Sequence, residues 1–218
     1  SSSYVKNSDQ LQRPDLFPAG LPQRTINMTT IGDDLLRPAS PEFGPRIDAV
    51  IVYNSNPVAI APESSKVARG FAREDLFTVV LEHFQTDTAD YADILLPATT
   101  QLEHVDAHAS YGHRYMMANN AAIAPMGEAK SNAEIFRLLA KAMGFTEPCF
   151  AESDEELAAQ AFNYEHERTR HTNWEDLKAK GWSKLQMPEA SFAAGGFSTP
   201  SGKVEFYCQR MADDGLDP

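Results

Sequence analysis

The sequence predicts an α/β fold: a Rossmann-like parallel sheet flanked by helices, followed by a mostly helical and irregular C-terminal extension. Three observations carry that prediction. Short apolar runs at residues 49–53, 77–81 and 94–96 lack polar–apolar alternation, as strands buried on both faces do. Segments of helical character separate them, the order that builds βαβ units with right-handed crossovers. The runs end at Asn54, Glu82 and Pro97, which gathers polar groups at one rim, where open α/β sheets bind ligands.

The elements follow in order. Residues 1–46 are rich in Pro, Ser and Gln, with one helical stretch. Thr25 is placed to cap it, Ile26, Met28, Ile31, Leu35 and Leu36 share a face, and Pro38 ends it. Residues 47–146 form the Rossmann-like unit. Its first strand, Ala49-Val50-Ile51-Val52-Tyr53, leads to a short helix over 64–73. The second strand is Phe77-Thr78-Val79-Val80-Leu81, followed by a helical turn over 86–91 and the third strand, Ile94-Leu95-Leu96. A long polar loop covers 98–120, with a short strand expected over 111–117. The strongest helix covers 132–143: Ser131 caps it, Glu134 stands at the capping-box position, and Gly144 ends it. Residues 147–218 read as a helical linker and the start of a further domain, with helices over 154–162 and 173–180 and a last strand over 204–207.

Composition excludes several classes. Hydrophobic residues make up 42% and charged residues 23%, values of a globular chain. The formal net charge is −12, from 31 acidic and 19 basic residues, which argues against a nucleic-acid or anionic-membrane partner. No apolar run reaches the roughly 20 residues of a membrane span. Cys149 and Cys208 supply neither a disulfide framework nor metal-ligand spacing, favouring a reduced, cytoplasmic chain. The chain begins at Ser1 without a signal-peptide pattern and reads as a fragment.

Three places offer chemistry. Asn54-Ser55-Asn56-Pro57 follows strand one, and an Asn amide offers a donor and an acceptor to a ribose, a base edge or a phosphate. An ordinary Asn-Pro turn explains the same residues. Glu82 ends strand two, where a carboxylate suits a ribose diol or the N1–H and amino group of guanine. The third place is Glu103-His104 with Asp106, His108 and His113. That set invites a metal hypothesis, but its spacing matches no known metalloprotease or thiol motif, and a polar loop with one or two cofactor contacts is the better reading. No nucleophile elbow, reactive-Cys signature or phosphate loop is present in the sequence.

These residues resemble a family. Asn56-Pro57, Arg73 to Val80, Thr86-Asp87-Thr88-Ala89, Tyr91 to Ala98, Glu103, Tyr111-Gly112 and Gly127 to Asn132 are similar, in order, to the molybdopterin oxidoreductases of the dimethyl sulfoxide reductase type. The segment Thr199 to Tyr207 resembles the lead into that family's last domain. The resemblance implies molybdenum or tungsten on molybdopterin guanine dinucleotide, with this chain holding the nucleotide end of one such cofactor. It implies contacts at Asn56, Leu81 through its backbone, Glu82, His104 and Asn132, with Asn54 and Thr86 as further candidates. It further implies that the metal ligand and any iron–sulfur cluster lie outside this chain, and that the partners are the remaining domains of the same enzyme and an electron-transfer subunit. A free-standing nucleotide-binding module and an interaction scaffold without redox activity are the competing expectations.

Overall fold

The computed structural model describes residues 24–217. Contact density divides the chain into two compact units, residues 1–184 and 185–218.

In the first unit, strands β1 (Ala49–Tyr53), β2 (Phe77–Glu82) and β3 (Ile94–Pro97) form a parallel sheet in the order β1-β2-β3. The register pairs Tyr53 with Leu81 and Leu81 with Leu96, so all three strands end at the same rim. Helices α1 (Ile31–Leu36), α2 (Pro57–Ile60) and α3 (Ser64–Phe71) flank it. Leu35, Val67 and Phe71 from the helices meet Val52, Leu76, Val80 and Ala89 in one buried cluster. Arg73 ties the layers together by donating from Nη1 to the carbonyls of Leu35 (2.6 Å) and Ile47 (3.0 Å). Asp93 fastens β3: its carboxylate accepts from the Thr78 N–H at 2.7 Å, and its own N–H donates to the Thr78 carbonyl.

Burial on both faces, expected from the unalternating runs, is not what the sheet shows. Ile51 is 50% exposed, Phe77 49% and Leu95 49%. This second face lines an apolar groove of about 730 Å³ opposite Ile135, Phe136, Leu138 and Leu139 of α4 (Asn132–Ala142). Phe136 of α4 meets Tyr53 of β1 in a T-shaped ring pair, centroids 5.3 Å apart. The start of the N-terminal helix also differs from expectation. Asn27, not Thr25, caps a 3-10 turn that leads into α1, and Met28 and Leu36 are exposed rather than packed.

A second, antiparallel sheet joins β4 (Asp106–Ala109), β5 (Tyr115–Asn119) and β6 (Trp182–Lys184). The expected strand at 111–117 thus starts later, at Tyr115, because residues 111 and 112 form the turn before it. Helices α5 (Asp154–Gln160) and α6 (Trp174–Lys180) complete the unit. At α4, Ser131 Oγ accepts from the Glu134 N–H at 3.1 Å. Glu134 does not return the bond: its carboxylate takes Lys130 at 2.9 Å instead. The reciprocal capping box stands at Ser153 and Glu156, starting α5.

The second unit carries helix α7 (Gln209–Asp213) and a stacked pair, Phe192 and Phe197, with ring centroids 4.5 Å apart. The strand expected over 204–207 is absent. Phe206 is almost fully exposed there, so the apolar pattern has no neighbouring strand to pair with among the described residues. No helix among the described residues is long and apolar enough to cross a membrane.

Candidate functional site

The rim of the parallel sheet is assembled by two clasps. In the first, Asn56 Oδ1 accepts from the N–H (3.1 Å) and the hydroxyl (2.7 Å) of Thr88, while its Nδ2 donates to Asp87 at 3.2 Å. Thr88 Oγ1 in turn accepts from the Val58 N–H at 3.0 Å. The turn after β1 is thereby fixed to the turn after β2. In the second clasp, the stretch after β3 pairs with the approach to α4. Lys130 N–H donates to the Pro97 carbonyl and Thr99 N–H to the Lys130 carbonyl, each at 3.1 Å. This sets the N-terminus of α4 beside the strand ends. Asn54 adopts the left-handed region (φ 52°), which Asn tolerates better than most residues, and its Oδ1 accepts from Asn132 Nδ2 at 2.7 Å.

Between these clasps lies a cleft of about 760 Å³. Its polar lining comes from Asn54, Ser55, Asn56, Glu82, His83, Thr99, Gln101, His104, Asp106, His108, Ser131, Asn132 and Asp154, with Ile60, Val105, Ala133, Leu157, Ala158 and Ala161 between them. The volume falls within the range of small-molecule sites. Its wall offers acceptors and donors in the same small space. Glu82 Oε1 accepts from the His83 N–H at 2.8 Å, which leaves a lone pair on that oxygen and both on the other for a ligand. Thr99 Oγ1 holds His104 Nδ1 at 2.9 Å. Asn132 Oδ1 is buried and has no hydrogen-bond partner, a rare and costly state for a polar atom unless something binds there.

Glu103 works behind the cleft and does not line it. Its carboxylate accepts from the Thr100 N–H (2.7 Å), the Thr100 hydroxyl (2.8 Å) and the Met126 N–H (2.7 Å). The Thr100 N–H foremost, with the other two, holds its pKa below the usual glutamate value. The loop that presents His104 is therefore braced from beneath.

Of the residues singled out from sequence, Asn54, Asn56, Glu82, His104 and Asn132 come together in the cleft. Leu81, expected to contribute through its backbone, is not among the residues lining the cleft; its side chain is buried in the central strand and borders the apolar groove. Thr86 does not line it either; its hydroxyl accepts from the Ala89 N–H at 3.3 Å and starts the turn there. His113 packs near Tyr115 and lies outside the cleft. Sequence reasoning passed over Thr88, Thr99, Ser131 and Asp154. Thr88 had a signal, since a second Thr two residues after Thr86 is suited to such a clasp; Asp154 had none, because it arrives from a distant helix.

A family model described as molybdopterin oxidoreductase matches residues 39–142, which contain both clasps and most of the cleft. A probable oxidoreductase of Bacillus subtilis, YoaE, is 42% identical over 211 residues, covering 96% of this chain and 30% of that protein. The chain belongs to the molybdopterin oxidoreductase family. The dimethyl sulfoxide/trimethylamine N-oxide reductase of Cereibacter sphaeroides is 28% identical over 193 residues, covering 78% of this chain and 23% of that protein. Among solved structures, the acetylene hydratase of Pelobacter acetylenicus superposes with a TM-score of 0.67 at 26% identity, over 88% of this chain and 25% of that one. This molybdopterin oxidoreductase chain thus spans about a quarter to a third of the length of these relatives. A hydratase and reductases share the fold, so the fold alone does not fix the reaction.

Proposed function

We propose that this chain is the cofactor-binding segment of a molybdenum or tungsten bis(molybdopterin guanine dinucleotide) oxidoreductase. The cleft takes the guanosine end of one dinucleotide, and the metal-ligating residue belongs to another part of the enzyme. The observation that carries this reading is the convergence of Asn54, Asn56, Glu82 and Asn132 on one cleft at the sheet rim, with Asn132 Oδ1 buried and unpartnered. An unfilled acceptor among converging amides and a carboxylate fits a donor-rich ligand such as guanosine, with its N1–H, amino group and ribose hydroxyls.

The bound group supplies the redox metal; this chain supplies binding, orientation and exclusion of water. Glu82 accepts from the guanine N1–H and exocyclic amine, a donor pair that adenine lacks. Asn132 and Asn54 hold the ribose or base edge, and the Asn56–Thr88 clasp keeps the two strand-end turns at a fixed separation. In this reading the metal ligand and the activity belong to the longer enzyme, together with its remaining domains and an electron-transfer subunit.

Binding of GMP and AMP to the wild-type chain and to Glu82→Gln tests the assignment. Each charge-assisted bond is worth about 1.5–3 kcal/mol, so losing one lowers GMP affinity by about tenfold or more while AMP affinity stays unchanged. Equal discrimination between the two nucleotides with and without Glu82 rules the guanine role out.

A further inference from the structure

Asn56 holds the N-cap position of α2, where an Asn side chain ordinarily accepts from the second or third helical N–H. It makes no such bond here. The Val58 N–H goes instead to Thr88 Oγ1 at 3.0 Å, and the Ala59 N–H to the Asn56 carbonyl at 3.1 Å. Thr88 therefore caps the helix from a neighbouring turn, and the Asn56 side chain is left for another task.

Donor and acceptor chemistry fixes how that side chain is turned. A backbone N–H can only donate, so the amide atom 3.1 Å from the Thr88 N–H has to be Oδ1. The Val58 N–H occupies Thr88 Oγ1 as an acceptor, which leaves the hydroxyl proton for the same Oδ1, 2.7 Å away. Both lone pairs of Oδ1 are thereby filled. At the other end, Nδ2 donates to the Asp87 carboxylate at 3.2 Å, and a carboxylate only accepts. Flipping the amide would set N–H against N–H on one side and carbonyl against carboxylate on the other. Asn56 lines the cleft, whereas Asp87 and the fully buried Thr88 stand behind it. What the amide has left for a ligand is its second Nδ2 hydrogen, a donor.

We infer that Thr88 and Asp87 are positioning residues that hold Asn56 as a one-way donor, so that the cleft takes an acceptor oxygen of its nucleoside there. The inference rests on the nucleotide-cleft reading above and adds a specificity element to it. Glu82 and Asn132 Oδ1 accept, and so select donor groups; Asn56 supplies the opposite polarity in the same cleft. Guanosine carries both kinds of group. Two of its oxygens suit the amide: O6 of the base, next to N1–H, and O2′ of the ribose.

Exchanging the two polar groups tests this. Asn56→Asp combined with Asp87→Asn keeps the net charge, keeps an oxygen on the Thr88 N–H and hydroxyl, and reverses the hydrogen bond between positions 56 and 87. Only the atom offered to the ligand changes, from N–H to oxygen. The probes are three uncharged nucleosides: guanosine, 6-thioguanosine, whose sulfur is a weak acceptor, and 2′-deoxyguanosine, which lacks O2′. Calorimetry is expected to show one analogue binding the wild-type chain about three- to tenfold more weakly than guanosine, and that analogue names the oxygen. The exchange lowers guanosine affinity by about tenfold or more and abolishes the preference over that analogue. Unchanged guanosine affinity in the folded exchange variant overturns the positioning and leaves the guanine reading standing. So does a wild-type chain that binds both analogues as tightly as guanosine. Should the exchange variant lose its fold by circular dichroism, Thr88→Val carries the comparison: it narrows the wild-type preference and Thr88→Ser restores it, and a preference untouched by Thr88→Val overturns the proposal. Failure of the wild-type chain to bind guanosine overturns both readings together.

Discussion

Glu103 illustrates how one buried side chain shapes the site without touching a ligand. It is 7% exposed and accepts three hydrogen bonds that join the loop after β3 to the stretch around Met126. Its pKa is depressed in the folded chain, with the Thr100 N–H as the leading cause. A depressed carboxylate stabilises the fold above its unfolded value, about 4.3, and loses that contribution as pH falls through the lower folded value. Glu103→Gln is therefore expected to melt below the wild type at pH 7, with the gap narrowing as the pH is taken below about 4. Thermal unfolding across that range checks it, and a gap constant with pH contradicts it. The residues of the cleft were legible to different degrees for physical reasons. Asn54, Asn56 and Glu82 follow apolar runs, so the strand period itself assigns them to the rim. Leu81 also ends such a run, and strand alternation turns its side chain to the other face, leaving only its backbone for the rim; Asp106 and His108 belong to a sheet whose sequence carries little strand signal.

At the level of elements, β1, β2 and β3 were readable because β-branched and aliphatic runs leave few alternatives. Of the second sheet, the sequence pointed to β5 in part, through the strand expected over 111–117; β4 and β6 were not readable, because they are short and largely polar and β6, Trp182–Lys184, pairs with residues about 65 positions earlier. Nor did the sequence advertise the contact of α1 with α3, which depends on two glycines. A Cβ at Gly70 would lie 2.7 Å from Leu35 Cβ, and one at Gly32 would lie 2.8 Å from the Val67 backbone nitrogen. Both contacts are closer than a methyl group permits, so the helices cross with their backbones nearly touching. Gly70→Ala and Gly32→Ala should each destabilise by about 1–3 kcal/mol, the usual cost of overpacking, despite alanine's better helix propensity. Chemical denaturation measures this; a stabilising Gly70→Ala would mean that the helices separate at no cost.

Across the whole molecule, the parallel sheet is covered on one face and open on the other, where Ile51, Phe77, Ile94 and Leu95 border an apolar groove. Parallel sheets in larger α/β proteins are covered on both sides, and the relatives of this chain are three to four times its length. That open face is why apolar runs mislead about burial here: the sequence records what each strand is suited to contact, not what this chain supplies. The ligand rim does not share the problem, since every residue that lines it comes from within 54–161. The account's central claim is that this rim receives a guanine nucleotide. Amide hydrogen exchange of the chain with and without GDP-mannose tests it most directly. Added protection is predicted over residues 54–57, 82–88, 99–104 and 131–134, with the apolar groove unchanged; protection confined to the groove, or none at the four rim segments while the nucleotide is bound, would contradict it.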